Sequence, residues 1–596
     1  MNNEAASNQE LDVLLSRIEA LAARRVDKPD QPLFRAFVRH YFEMASAETL
    51  KLRPTEDLLE AALAHFQQAR TRKRGEVLIE VKPPQDPAAA GSHGFATVRT
   101  VVDDMSFLYD SVGMAVREAG VSIDWTVHPV LRVMRERGKL TEVLGVAGTG
   151  DDGDTESLIH VECEGLARPE DYPVLERRLR DVIGELTQCV QDYPALRKCV
   201  QALVKQLDSV PKGADAAEFR EAQDFLRWLD EGRFTFLGYS QSRVGTSGFD
   251  DVRDAALGLL RPGGRFEDTQ EYIAPREELS KYATSKRVVV VSKGNVRSPL
   301  HHPEYFDVVS VKHFGADGEA TGVSRFVGLF ATEVYTARVR EIPLLRRKAE
   351  YVMQRARLPE ASHSGKNLRE IIHSLPRDEL FQSSETELFQ LCMGIRALRD
   401  RHQLRLFMRR DRYGRYYTCM VYLPRDRYSA ELRDRIATEL TGVFGATSID
   451  RTVEFLRGSL ARILYTVRTE AGTTVSQTPA EVEQRLLAVT RSWREQLREV
   501  FRPHPVIDGA AMAARFGDAF PVSYTSSTTA EEAAADVEHL IRLSATDPVL
   551  PRLAAGTGGS GTLKLYSYGK PIPLSDVLPT LENFGLRVIW QDPTEV

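Results

Sequence analysis

Apolar residues in this chain change their spacing several times, from a helical period of 3.6 to a strand period of 2 and back. A purely helical or purely β architecture cannot absorb that pattern. Leu11, Leu14, Leu15, Ile18 and Leu21 form a helical stripe, continued by Phe34, Phe37, Val38 and Tyr41. Pro54 stops what precedes it, and Thr55 is placed to cap a third helix. Val77–Val81 and Thr97–Val102 alternate as strands do. A helix is predicted over Phe107–Ala119, closed by Gly120. Val121–Val133 is rich in β-formers and Ser157–Glu164 reads as a further strand. This opening predicts a small α+β sandwich with one helical face.

The alternation continues downstream. Leu175–Leu207 and Ala216–Leu229 read as helices, and Phe234–Val244 and Arg287–Phe330 as strand-rich. Asp317-Gly318 supplies a hairpin turn between Val308–Phe314 and Val323–Phe330. Pro343–Arg357 and Ser384–Arg401 return to helix. Residues 376–428 are unusually dense in arginine, aspartate and aromatics. There Pro376–Gln382 (PRDELFQ) reads as a helix cap, and Arg405–Val421 as two strands turning at Tyr413-Gly414. Ala430–Phe444 is predicted helical, Ala461–Thr469 extended, Pro479–Phe501 one long helix and Ala530–Leu543 another. Ala554–Gly561 reads as a glycine-rich linker ahead of a strand, helix and strand over Leu563–Ser567, Leu574–Phe584 and Leu586–Trp590. The chain has no strict internal repeat, but a strand–helix–Gly–strand theme recurs at Thr97–Val130 and Leu563–Trp590.

At 596 residues the chain is too long for one core, and three to five domains are expected. A net charge of −6 argues against polyanion binding, so no nucleic-acid partner is expected. The longest apolar run, Val288–Val291, is far too short to cross a bilayer, and no basic stretch precedes an apolar core near the start. Cys163, Cys189, Cys199, Cys392 and Cys419 are odd in number and widely spaced, which fits reduced thiols in a cytoplasmic protein.

Candidate chemistry is sparse. Two GxGxxG matches, at Gly148, Gly150 and Gly153 and at Gly556, Gly558 and Gly561, each run into a strand. A dinucleotide fingerprint must instead open a helix, whose N–H groups face the pyrophosphate. His301-His302, His128 and His160 lack metal-ligand spacing, and GxSxG does not occur. No catalytic residue, metal site or cofactor is assigned. Asp103, Asp104, Met105, Ser106 and Phe107 join a strand to a helix N-terminus, where free N–H groups could hold a carboxylate and a carboxylate an ammonium. An amino-acid effector carries both charges. The bland alternative is that Asp104 or Ser106 caps the helix. Arg405, Arg409, Arg410, Arg412 and Arg415, interleaved with Phe407, Tyr413, Tyr416 and Tyr417, are read as ion-paired strands at an interface. Arg377-Asp378-Glu379 and Arg425-Asp426-Arg427 are read as salt bridges and caps.

An ordered set of motifs then carries a resemblance. FVRHYF (37–42), DDMSFLYDS (103–111), HPVL (128–131), FLRWLDEGRFTFLGY (225–239), LGLLR (257–261), the segment Lys293–Asp307, RFVGLF (325–330), IPLLRRK (342–348), SHSGK (362–366), PRDELFQ and PRDRY (424–428) resemble the N-terminal half of the large bacterial NAD-specific glutamate dehydrogenases. The resemblance runs from about Phe37 to the C-terminus. Ser106, where the family commonly has proline, and Tyr109, where it has a smaller aliphatic, are minor departures.

The resemblance implies an α+β, multi-module fold of ACT-like ferredoxin-type sandwiches and a PAS-like β-rich module interspersed with helical motifs. The implied organisation is an N-terminal helical segment over 1–75, ACT-like modules over 76–165, 403–470 and 516–596, and the PAS-like module over 233–338. Helical motifs are implied over 166–232, 339–402 and 471–515. The third ACT-like module is expected to be unfinished at Val596, making the chain an N-terminal fragment or truncated product. The parent enzyme oxidatively deaminates L-glutamate to 2-oxoglutarate and ammonium with NAD. This stretch is expected to be a cytoplasmic regulatory and oligomerisation region, inactive alone and without bound NAD. Its implied partners are the C-terminal catalytic domain of the same chain, further copies of itself and an amino-acid effector. The competing reading is a standalone amino-acid sensor of ACT type.

Overall fold

The computed structural model describes residues 2–84, 95–147, 153–166, 168–245, 248–266, 282, 287–315, 317–398, 404–456, 459–470, 473–502, 508–555 and 561–596. The chain divides into two compact units, Met1–Arg399 and Asp400–Val596.

The first unit opens with α1 (Asn2–Ala22), α2 (Gln31–Tyr41), α3 (Ala47–Lys51) and α4 (Thr55–Ala69). The expected Thr55 cap does not form. Thr55 is the first helical residue, Pro54 holds the cap position, and no side chain caps it. The fixed proline φ sets the entry, and Glu56 and Asp57 suit the positive end of the helix dipole. Then come β1 (Leu78–Lys82), β2 (Ala96–Asp103), α5 (Leu108–Glu118), β3 (Ser122–Val127), β4 (Val130–Glu136), β5 (Lys139–Val146), β6 (Asp154–Glu164) and the 36-residue α6 (Asp171–Gln206). The sheet runs β1-β2-β6-β4-β5, with β3 also on β6. Taken as β2-α5-β3-β6-α6 with β1 beside β2, this is a ferredoxin-type sandwich whose edge strand precedes the module instead of following it.

One helical face was expected, and the sheet has two. Val98, Val102, Ile159 and Val161 pack on α5 and α6, while Val101 and Leu158 point the other way into a core with Phe34, Phe37, Leu58 and Phe66 of the N-terminal helices. Side chains alternate across a strand, so a central strand buried on both faces must be apolar at successive positions, as Val101-Val102 are.

α6 also packs on a second sheet. After α7 (Ala216–Trp228) come β7 (Phe234–Gly245), β8 (Gly248–Asp251), β9 (Leu257–Gly258), β10 (Val289–Arg297), β11 (Tyr305–Phe314) and β12 (Ala320–Phe330), in the antiparallel order β10-β11-β12-β7-β8 with β9 on β7. Leu237, Phe306, Val308 and Val327 join Leu179, Ile183 and Leu186 of α6 in the core shared with the first sheet. Asp192 of α6 holds the LGLLR turn, accepting the Gly258 N–H (2.7 Å) and the Arg261 guanidinium (Nε, 2.7 Å). Gly258 has φ +60°, and a Cβ there would collide with the Leu237 carbonyl, which is why this turn needs glycine.

The unit closes with α8 (Thr332–Thr336), α9 (Leu345–Ala356), α10 (His363–Ser374), α11 (Arg377–Gln382) and α12 (Glu385–Arg396). The buried Arg377 guanidinium donates to the carbonyls of Val334 and Ala337 at the end of α8 and of His373 and Leu375 at the end of α10, tying the two helix ends together. Asp378 of PRDELFQ pairs with Lys293 of β10 (3.6 Å).

In the second unit β13 (Arg405–Arg410), β14 (Tyr416–Pro424), α13 (Ala430–Phe444), β15 (Ser448–Phe455), β16 (Leu460–Arg468) and α14 (Pro479–Val489) repeat the layout, with strand order β13-β14-β16-β15. Cys419, Val421, Ile463 and Val467 pack against Ile436, Leu440, Phe444 and Leu486. The single helix expected over Pro479–Phe501 is two. α14 ends at Val489, and α15 (Trp493–Phe501) restarts on a capping box in which Ser492 and Glu495 bond reciprocally. α16 (Gly509–Phe516), α17 (Val522–Ser527) and α18 (Ala530–Leu540) complete a helical cluster around Leu497, Phe501, Phe516 and Val537.

A third module, within the second unit, begins with the hairpin β17 (Val549–Ala555) and β18 (Gly561–Ser567), then α19 (Leu574–Asn583). Within the expected linker Ala554–Gly561, Ala555 therefore pairs with Gly561, while residues 556–560, which hold most of the second GxGxxG, lie outside the described residues. Residues 148–152 of the first lie outside them too. Leu586–Trp590, expected as a strand, is not one, and Ile589 and Trp590 are exposed. The corresponding strands β3 and β15 pair with β6 and β16, and among the described residues no strand lies beside β18 on that side.

Candidate functional site

The Asp103–Phe107 loop leaves the end of β2 and enters α5. Its first carboxylate is engaged. Asp103 accepts from the buried Arg72 guanidinium (2.6 Å) and the Gly75 N–H (3.0 Å). Arg72 also bonds Glu156 (2.8 Å), which takes a bidentate pair from Arg135 (2.7 and 2.7 Å). Asp104 keeps much of its surface in solvent, yet the loop half-covers its carboxyl. That desolvation raises its pKa, against the Met105 N–H that it accepts. The Met105 sulfur takes the Thr187 hydroxyl (3.7 Å), and Ser106 is exposed. Phe107 occupies the cap position in the left-handed region (φ 66°), and no side chain caps α5, so neither Asp104 nor Ser106 serves as the expected cap.

A second strained residue faces it. His301 (φ 67°), from the LHHPEY turn after β10, places its ring 4.1 Å from Phe107 and donates its backbone N–H to Ser111 Oγ (3.1 Å). Its Nδ1 lies 3.7 Å from the Asp110 carboxylate. Burial lowers the His301 pKa, and so does neighbouring His302, while Asp110 opposes them. Tyr109 lies over His128 (4.9 Å, 8° between planes) and bonds Thr126. The start of α5 is thus an uncapped helix end closed in by aromatic rings. Among the described residues no group of three or more His, Cys, Asp or Glu side chains could hold a metal ion.

The arginines of the β13–β14 hairpin do not converge on one patch. Arg405 pairs with Glu483 of α14 (2.8 Å), Arg409 reaches Thr418 Oγ1 (3.4 Å), Arg410 reaches the Thr473 carbonyl (3.3 Å), and Arg412 is exposed. Arg415 and Asp411 form a buried pair inside the turn (2.8 Å). Burial alone would lower the Arg415 pKa, but the facing carboxylate outweighs it.

Sequence reasoning passed over a cleft of about 1050 Å³ in the second unit, between α13, the end of α14, α15 and the start of α18. Glu431, Glu439, Glu499 and Glu531 line it together with Arg435 and Arg491. These residues come from helices separated by up to a hundred positions, so no local motif could mark them. The Arg72–Glu156–Arg135 network was missed for the same reason.

Fold and loop together define a multi-module α+β protein built on repeated ACT-type sandwiches joined by helical motifs. Family models match in the same order: "Glutamate dehydrogenase, ACT1 domain" at residues 37–179, helical motif 1 at 342–401, the ACT2 domain at 405–494, helical motif 2 at 503–543 and the ACT3 domain at 551–596. The chain is 32% identical over 617 aligned residues to the NAD-specific glutamate dehydrogenase of Halomonas elongata, an alignment covering 100% of this chain and 38% of that protein. It is 30% identical over 590 residues to the Pseudomonas aeruginosa enzyme (96% and 36%) and 26% over 547 to that of Mycobacterium tuberculosis (89% and 32%). The chain belongs to the NAD-specific glutamate dehydrogenase family, whose ACT and helical-motif domains it carries. It spans just over a third of the length of these first two relatives.

Proposed function

We propose that this chain is a regulatory and oligomerisation region of an NAD-dependent glutamate dehydrogenase, non-catalytic by itself. The parent reaction would convert L-glutamate, NAD and water to 2-oxoglutarate, ammonium and NADH. The observation that carries this reading is the uniform strand pairing: every ladder among the described residues is antiparallel. A dinucleotide site of the doubly wound type needs parallel strands with a helix opening at their carboxyl ends. The partners in this reading are a catalytic domain of the same polypeptide, where NAD would bind, and further copies of the chain. Five free cysteines suit a reducing, cytoplasmic setting. The test is a steady-state assay of the 596-residue chain with glutamate and NAD; NADH formation above background would refute it.

A second reading, amino-acid sensing at Asp103–Phe107, draws on the uncapped start of α5. Asp104, with its raised pKa, would face the ammonium, and the first-turn N–H groups the carboxylate. Calorimetry across a panel of amino acids tests it, and silence across the panel rejects it.

A further inference from the structure

Directly opposed residues of an antiparallel pair share one face of the sheet. In the second sheet that register sets Lys293 of β10 against Asp307 of β11, and the ammonium donates to the carboxylate (2.9 Å). Asp307 is buried, and its second oxygen accepts the Phe330 N–H at the end of β12 (3.0 Å). A third charge arrives from outside the sheet. Asp378, in the first turn of α11, lies 3.6 Å from the same ammonium and keeps part of its carboxylate in solvent. The groups facing the Lys293–Asp307 pair are therefore Asp378 from α11, Tyr335 from α8 and the Phe330 N–H from β12.

One ammonium thus serves two carboxylates, and a site of that kind holds a proton more readily than a lone carboxyl does. Burial pushes the Asp307 pKa up, Lys293 opposes it and Asp378 adds to it, leaving it at about 6. Burial pulls Lys293 down, but the two carboxylates outweigh this and hold it well above its usual value, so it stays charged. Burial and the same carboxylates raise Tyr335, which stays neutral. The cluster sits where α11 meets the sheet. α11 packs on the edge strand β10, and Phe381 stacks on Phe330 (5.0 Å, 4° between planes). If α11 lifted away, Asp378 would leave and water would reach Asp307, removing both causes that raise it. A closed state that holds a proton more tightly than the open state is stabilised by that proton.

We propose that Lys293, Asp307 and Asp378 form a proton-operated latch holding α11 on the β10 edge, closing in acid and loosening as the pH rises. This rests on the regulatory role proposed above and gives that role a signal. The latch is measured without glutamate or NAD, so it can fail while that role stands. An open Asp307 titrates as an ordinary carboxyl, at about 4. Above both values the closed latch carries an ionised, buried Asp307, and that penalty lifts as the pH falls through about 6. Opening should therefore be about tenfold rarer at about pH 5 than at about pH 8.

The test is hydrogen exchange of the full chain from about pH 5 to about pH 8, read in peptides spanning α11 and corrected for the intrinsic pH dependence of exchange. Asp307→Asn cannot titrate and is the baseline at each pH. Against it, the parent should show the tenfold change, centred near pH 6. Asp378→Asn alters a partly exposed side chain and should move the centre to lower pH, because a carboxylate that raises Asp307 is gone. If Asp307→Asn does not fold, the shift between the parent and Asp378→Asn decides. A parent whose α11 exchange follows the baseline at every pH, one that loosens in acid, or a centre that Asp378→Asn leaves in place overturns the proposal.

Discussion

Lys348 is the residue whose removal should cost the helical segment most. It sits on α9, 5% exposed, and its ammonium donates to three backbone carbonyls, of Leu380 (2.8 Å), Phe381 (2.6 Å) and Ser383 (2.7 Å). The carbonyls at the end of α11 have no further turn to receive them, so the lysine supplies what a helix continuation would. Lys348→Met keeps the stem and deletes the charge. Three acceptors then lose a charged donor, while the desolvation of the ammonium is relieved, and the balance is a loss of about 3–5 kcal/mol. In a multi-module chain one global unfolding energy is poorly defined, so the assay is local. Native-state hydrogen exchange of peptides spanning α11 should speed up by roughly two to three and a half orders of magnitude. Lys366→Met, on the exposed face of α10, is the control and should leave those peptides unchanged. A change of less than about tenfold at α11 would refute the reasoning, because it would mean the carbonyls find other partners at little expense.

Three further outcomes follow from the same physics. Asp536 gathers Arg552 (2.7 Å), Lys564 (2.6 Å), Tyr566 (2.7 Å) and Tyr524, so Asp536→Asn takes the carboxylate from Arg552 and leaves Lys564 with Glu532 (3.2 Å), and should loosen the β17–β18 hairpin by about 2–4 kcal/mol, read as faster exchange in Val549–Ser567. Burial pushes the Asp536 pKa up, but its donors outweigh that and hold it below normal; its contribution is therefore present above about pH 4 and fades as the pH falls through the lowered value, which acid titration of the same exchange would show. Gly258→Ala should cost more than about 2 kcal/mol, since both its φ and the Leu237 carbonyl oppose a Cβ; an unchanged melting profile would contradict this. Burial holds His65 well below its usual pKa, helped by His160 and Arg99, and burial lowers His160 as well, with Glu162 opposing. The unfolded chain takes up protons below about pH 6.5 that these buried rings refuse, so protection of α2 and α4 should be complete above that pH and decline toward pH 5; equal protection at pH 7.5 and 5 would count against it.

How far the sequence foretold this structure depends on whether the stabilising partner is local. Alternation marked β2, β6, β14 and β16 because central strands are apolar on one or both faces, and the helical stripes marked α2, α5 and α13 in the same way. β15 escaped notice because an edge strand can be half polar, and β17 because Pro551 interrupts it, which an edge tolerates. The break at Arg491 was readable, since Ser492 and Glu495 spell a capping box, but the apolar stripe on either side hid it. Leu586–Trp590 failed for the opposite reason: its alternation is adequate, yet a strand exists only beside another strand. Polar motifs were the least legible. Arg377 reads as part of a salt-bridging motif, yet both it and Lys348 bind carbonyls, groups that every residue has and no sequence displays. The same holds at the candidate loop. Asp103 looks available for a ligand until Arg72, brought in from the turn after α4, takes its carboxylate. Asp104 and the uncapped first turn of α5 are what remain for an effector to contact, and a ligand that displaced Arg72 would have to leave Glu156 with Arg135 as its remaining cation, deep in the sandwich.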